Sequence, residues 1–92
     1  MFAKLPRFPY FDGMLTPAQI RAARALLNWN QKQLAEASGI ATVTIKNIER
    51  GASDPRMSSV QAIKLALEKA GVVFLDDRQN RDGGPGVRLA QR

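Results

Sequence analysis

Neither cysteine nor histidine occurs among the 92 residues. Without cysteine there is no disulfide framework and no thiolate metal site. Without histidine the commonest general base and the commonest zinc ligand are missing too. No apolar run approaches the ~18 residues that a membrane span needs. Residues 1–13 carry Lys4 and Arg7 but no continuous apolar stretch of the kind a secretory signal contains. No glycine-rich phosphate loop follows a strand-like segment. Asp76 and Asp77 are adjacent, so in a strand they would point to opposite faces. These gaps exclude the usual catalytic constellations: no catalytic residue, metal site or cofactor is expected, and the default location is the cytoplasm.

Apolar residues make up 45% of the chain, enough for one core in one domain. The formal net charge is +6. Most of that excess falls on residues 16–71, which hold eight basic and four acidic side chains. A basic domain attracts phosphate or an anionic membrane surface, and charge alone does not choose between them. Lys64 and Lys69 are scattered opposite an apolar stripe, which reads as an ordinary solvated helix face and argues against membrane binding.

Residues 1–15 hold four of the six aromatics, Phe2, Phe8, Tyr10 and Phe11, broken by Pro6, Pro9 and Gly13. Proline and glycine at that density argue against a regular element. The segment reads as a flexible arm whose aromatics pack on the domain surface; the alternative is an arm that contacts a partner or DNA. Met14, just before the helical pattern begins, is an alternative start.

Thr16-Pro17-Ala18-Gln19 has the form of a capping box with proline at the first helical position. Ile20, Ala23, Arg24 and Leu27 follow at helical spacing and predict a helix over about 17–28. Asn30 with Gln33 repeats the cap, and a second helix is expected over about 31–38, stopped by Gly39. A third is expected from Thr42 to Arg50, ending at Gly51, with Ile45 and Ile48 inward. Its β-branched opening, Thr42-Val43-Thr44-Ile45, lowers helix propensity, so tertiary packing must hold it. Asp54-Pro55 marks a loop. Ser58 or Ser59 is the expected cap of a fourth helix over about 59–70, with Val60, Ile63, Leu67 and Ala70 as its stripe. Val72–Leu75 and 86–89 read as strands, a possible hairpin around the polar stretch from Asp76 to Gly84.

The segment from Gln31 to Gly51 carries the functional signal. Ala35 is small where two helices cross, Gly39 allows a tight turn, and Leu34, Ile40, Ile45 and Ile48 lock the second helix across the first. This is a helix-turn-helix layout, whose second helix enters the major groove of DNA. Its outward positions, Thr42, Val43, Lys46 and Asn47, are the candidate base readers. Val43 suits a thymine methyl. Lys46 suits guanine O6 and N7. Asn47 suits a bidentate bond to adenine or, from the second turn, a phosphate. Thr42 and Thr44 are short donors for a base edge or phosphate, with a local hydroxyl bond as the alternative for Thr44. Arg50, Arg56 and Lys32 are candidate phosphate contacts. Trp29, in the link between the first two helices, is expected in the core.

The words Ile20-x-x-x-Arg24, Gln31-x-x-Leu34-Ala35, Gly39-Ile40 and Ile45-x-x-Ile48-Glu49-x-Gly51 resemble the Cro and phage-repressor family, also called Xre-like. The resemblance covers about residues 16–71 as the DNA-binding domain, flanked by the arm, 1–15, and an extension, 72–92. It implies a mainly α fold: a compact repressor-like bundle of four to five helices, here with a C-terminal β-strand or hairpin in place of the final helix. The tail from Val73-Phe74 to Gly83-Gly84-Pro85-Gly86-Val87-Arg88-Leu89 is similar to a subgroup of small bacterial regulators of this type. The resemblance also implies an ion pair between Arg24 and Glu49 (the alternative is two solvated charges). For Gln31 it implies a contact to the DNA phosphate that braces the recognition helix, compatible with a capping role. The expected function is sequence-specific transcriptional regulation by a homodimer on a two-fold operator in double-stranded DNA, at the nucleoid when bound. The alternative is an antitoxin or anti-activator of the same fold, whose tail, near Phe74 and Leu89, docks a protein partner through a strand edge. With a strand in place of the final helix the usual dimer surface is altered, and the extension, 72–92, is the candidate dimerisation element.

Overall fold

A computed structural model describes residues 15–51, 55–75 and 84–91. The aromatic arm, the alternative start at Met14, Asp54, and the Asp76–Asp77 pair lie outside the described residues. Four helices, α1 (Pro17–Leu27), α2 (Gln31–Ser38), α3 (Thr42–Glu49) and α4 (Met57–Lys69), precede two strands, β1 (Val72–Leu75) and β2 (Gly86–Leu89). The fold is mainly α, and among the described residues the helices number four.

Both predicted capping boxes form. The Thr16 hydroxyl accepts from the Gln19 N–H at 3.1 Å while the Thr16 N–H donates to Gln19 Oε1 at 2.8 Å. Asn30 and Gln33 make the same reciprocal pair at 2.7 and 2.8 Å. Leu15 precedes the first cap and Ile20 lies at the fourth helical position, where a hydrophobic staple forms. Both are fully buried in one cluster. Leu15 thus belongs to the core, although the sequence pattern grouped it with the arm. Helix α1 ends one residue earlier than expected, because Asn28 turns left-handed at φ 58°, a conformation asparagine tolerates better than most. Likewise α3 stops at Glu49, with Arg50 as its cap.

Helix α4 corrects one expectation. Neither Ser58 nor Ser59 caps it; the helix begins two residues before Ser59, with Arg56 as N-cap and no side-chain cap bond. The N–H groups of Ser59 and Val60 both donate to the Arg56 carbonyl, at 3.0 and 3.1 Å, so the first turn closes upstream of both serines. Pro55 precedes this start, and burial of Val60, Ile63, Ala66 and Leu67 holds the helix in place of a cap. Gly71, at φ 108°, turns the chain from α4 into β1, a conformation costly for any residue with a Cβ.

The strands pair antiparallel, Val72 opposite Leu89 and Leu75 opposite Gly86. Two strands alone are marginal in water. This pair is held by the core: Val72 is buried, and Phe74 and Val87, on the same face, pack against the helical cluster. A second hold comes from Gln19. Its side-chain nitrogen donates to the carbonyls of Leu75 and Gly86, each at 3.0 Å, closing the mouth of the hairpin onto α1. The side chain is buried, and all its amide groups are used. Replacing Gln19 with leucine would take a partner from the buried Thr16 N–H and from the half-buried carbonyls of Leu75 and Gly86. The expected cost is about 1–3 kcal/mol of unfolding free energy, with hydrogen exchange at the hairpin amides accelerated more than at α2 and α3. Equal acceleration everywhere, or none, would contradict the clamp.

Candidate nucleic-acid interface

The α2–α3 turn sets the angle between the two helices. Gly39 adopts φ 74° and its N–H donates to the Ala35 carbonyl at 2.9 Å. A Cβ there would meet nothing within 4 Å, so glycine is favoured by backbone conformation and not by space. Ser38 splints the same turn: its hydroxyl donates to the Leu34 carbonyl at 2.7 Å and accepts from the Ile40 N–H at 3.3 Å. Leu34, Ile45 and Ile48 are buried, and Ile40, Ala35 and Trp29 pack partly buried against them.

The far end of α3 is held by charge. Glu49 is 3% exposed, and Arg24 is 20% exposed. Arg24 Nε donates to Glu49 Oε2 at 2.7 Å and Arg24 Nη2 to Oε1 at 2.9 Å, a bidentate pair between α1 and α3. The third nitrogen of Arg24, Nη1, donates to the Trp29 carbonyl at 3.0 Å, fastening the α1–α2 link. Gln31 Nε2 adds a bond to Glu49 Oε1 at 3.0 Å from the first turn of α2. Three helices therefore meet on one carboxylate. Arg21 completes the arrangement by donating through Nη1 to the Glu49 backbone carbonyl at the end of α3. The spacing of the sequence did not single out Arg21 or Ser38: their partners are backbone groups, which leave no residue-type signature.

What this scaffold leaves outward is the opposite side of α3. Val43 is 63% exposed, the most exposed large apolar side chain among the described residues. Lys46 and Arg50 are exposed, and Thr42, Thr44 and Asn47 are half-buried. Asn47 is not free: Arg50 Nη2 donates to its Oδ1 at 2.8 Å. Gln31 is half-buried at the start of α2 and keeps a second amide N–H beyond the one given to Glu49. Lys32 beside it is exposed, as is Arg56 at the start of α4. The arrangement offers an apolar contact, an ammonium and short polar groups on a rigid helix. Arg24 and Glu49 are committed to the scaffold.

Removing Arg24 leaves Glu49 buried with the Gln31 amide as its one side-chain partner among the described residues. Arg24→Met should cost about 3–5 kcal/mol of stability, and the double variant Arg24→Met/Glu49→Leu should recover much of that loss. Denaturant unfolding of the single and double variants measures both. A single-variant loss under about 1 kcal/mol, the scale of an exposed pair, would mean that the pair is solvated.

Comparison with known proteins agrees with this geometry. The chain is 40% identical over 50 residues to uncharacterised HTH-type transcriptional regulators of Mycobacterium bovis and of two strains of Mycobacterium tuberculosis. The match takes in 54% of this chain and 20% of each relative, so the chain spans about one fifth of the length of the curated relatives it matches. The helix-turn-helix family profile matches residues 20–70, from the middle of α1 to the end of α4 and more than half of the chain. This chain belongs to the helix-turn-helix family of the Cro and phage-repressor type.

Proposed function

We propose that the protein is a DNA-binding transcriptional regulator that lays α3 in the major groove. The observation that carries this reading is the division of α3 into two sides. One side, with Ile45, Ile48 and Glu49, is buried and tied to α1 and α2. The other leaves Thr42, Val43, Lys46 and Asn47 outside the core. A reading helix has to be rigid and uncovered in this way, because mobility of the reading side chains would erode discrimination between bases. Thr42, Val43, Lys46 and Asn47 face the bases. Gln31, Lys32, Thr44, Arg50 and Arg56 hold phosphates and fix the register. The +6 formal charge supplies the sequence-independent attraction. Its place of action is then the nucleoid.

One such helix reads too few base pairs for both affinity and specificity. The protein therefore acts as a homodimer on a two-fold operator, with half-sites about 34–36 Å apart. A second reading, as an antitoxin or anti-activator working through a protein partner, draws on the hairpin. The Ala90 N–H donates to the Gly71 carbonyl, and antiparallel alternation from that bond turns the backbone groups of Val87 and Leu89 away from β1. An outward edge of that kind can accept an added strand.

Gel-shift titration of the protein on the DNA upstream of its own gene, at several salt concentrations, tests the first reading. Affinity should fall steeply as salt rises and should exceed that for unrelated duplex. Lys46→Ala should cost about 1–3 kcal/mol on the preferred site and flatten one base preference. Lys32→Ala should weaken all sequences alike and lower the salt slope by about one. Binding that ignores both salt and sequence, together with a stoichiometric protein partner in the native host, would turn the assignment to the second reading.

A further inference from the structure

We propose that Arg50 fixes the hydrogen-bonding sense of Asn47, so that Asn47 meets a base edge offering only acceptors, that of guanine or thymine, and not adenine. The inference rests on the DNA-binding reading above and makes a narrower claim. Arg50 caps α3 and lies three residues beyond Asn47, the spacing that places two side chains on one helix face. Its Nη2 donates to Asn47 Oδ1 at 2.8 Å. A guanidinium has five donors and no acceptor, so the atom it faces must be the amide oxygen. The orientation of the amide is therefore set by chemistry: one lone pair of the oxygen is taken and that side of the amide faces a guanidinium, which leaves the nitrogen, with its two hydrogens, as the group turned toward a base.

An isolated asparagine reads adenine by accepting from N6 and donating to N7 with the two ends of one amide. That pattern needs the oxygen to face the base. Here the oxygen faces Arg50, and a base that brings its own N–H donor would arrive beside a guanidinium already occupying that direction. Guanine presents N7 and O6, and thymine presents O4; all are acceptors. An amide nitrogen next to a positive charge complements either. Among the described residues Asn47 is the one side-chain partner of Arg50, so its other donors can meet a backbone phosphate, and one residue would both anchor the helix end and choose the face that Asn47 shows.

Selection of bound duplexes from a randomised pool by the full chain, followed by sequencing, tests this. The operator position whose preference collapses in Asn47→Ala marks the base that Asn47 reads. For the unaltered protein that base should be guanine or thymine. In Arg50→Ala the freed amide should turn, and adenine should gain about tenfold at the same position. A general loss of affinity from a missing phosphate contact cancels in a ratio between bases, so it cannot mimic that shift. Asn47→Asp, which keeps its partner Arg50 and has only acceptors to offer, provides an independent variant and should shift the preference toward cytosine, whose N4 donates. Adenine already preferred by the unaltered protein, no position responding to Asn47→Ala, or unchanged base ratios in Arg50→Ala would overturn the proposal while leaving DNA binding intact. Failure of the unaltered protein to enrich any sequence would overturn the DNA reading and this one with it.

Discussion

A carboxylate withdrawn from water must find its full complement of donors, and the arrangement of α1, α2 and α3 is organised around meeting that demand for Glu49. Its two oxygens receive three donors, two from Arg24 on α1 and one from Gln31 on α2. An apolar contact in the same place would hold the helices together but would tolerate sliding and rotation. Paired donors on a planar carboxylate do not, because a shift of an ångström breaks the bidentate geometry. The ion pair is better understood as a device that fixes the orientation of α3 than as a net source of stability, since desolvating two charges consumes most of what their attraction returns.

That fixation matters because α3 has little stability of its own. It is eight residues long, below the roughly 12–15 at which an isolated helix becomes marginal. It opens on β-branched residues and has no side-chain cap. Its helical state is imposed from outside: at the start by the turn through Gly39 and Ser38, along one side by Ile45 and Ile48, and at the end by Arg21 and Arg24. The β-branched residues that weaken the helix are also stiff at χ1, which suits a surface meant to present a fixed shape.

The parts of this arrangement legible in the sequence are those whose cause is local. Thr16 with Gln19, Asn30 with Gln33, and Gly39 each announce a helix boundary because the bonds they make lie within three or four residues. The start of α4 has no such sign; it is held by burial of Val60 and Ile63, and the two serines that resemble caps fall inside its first turn. Asn28 illustrates the same limit, since a left-handed asparagine differs little in sequence from a solvated one. The pairing of Arg24 with Glu49 could be anticipated only from family resemblance, because 25 residues separate them. The partners of Gln19 lie 56 and 67 residues away, and nothing near Gln19 signals them. In the candidate interface, the outward positions of α3 followed from helical periodicity. The bond between Arg50 and Asn47 depends on rotamers that periodicity does not specify.

The Gln19 clamp also bears on how this chain can diversify. Because one buried amide grips Leu75 and Gly86 together, the ends of the segment between β1 and β2 are fixed whatever its length. Doubling such a segment costs only about 0.6 kcal/mol in closure entropy once its ends are pinned. The neck of the hairpin is thus a place where insertions can accumulate almost without thermodynamic consequence, while the helices that carry the proposed reading surface stay unaltered. New appendages can be tried at that neck without renegotiating the rest of the molecule.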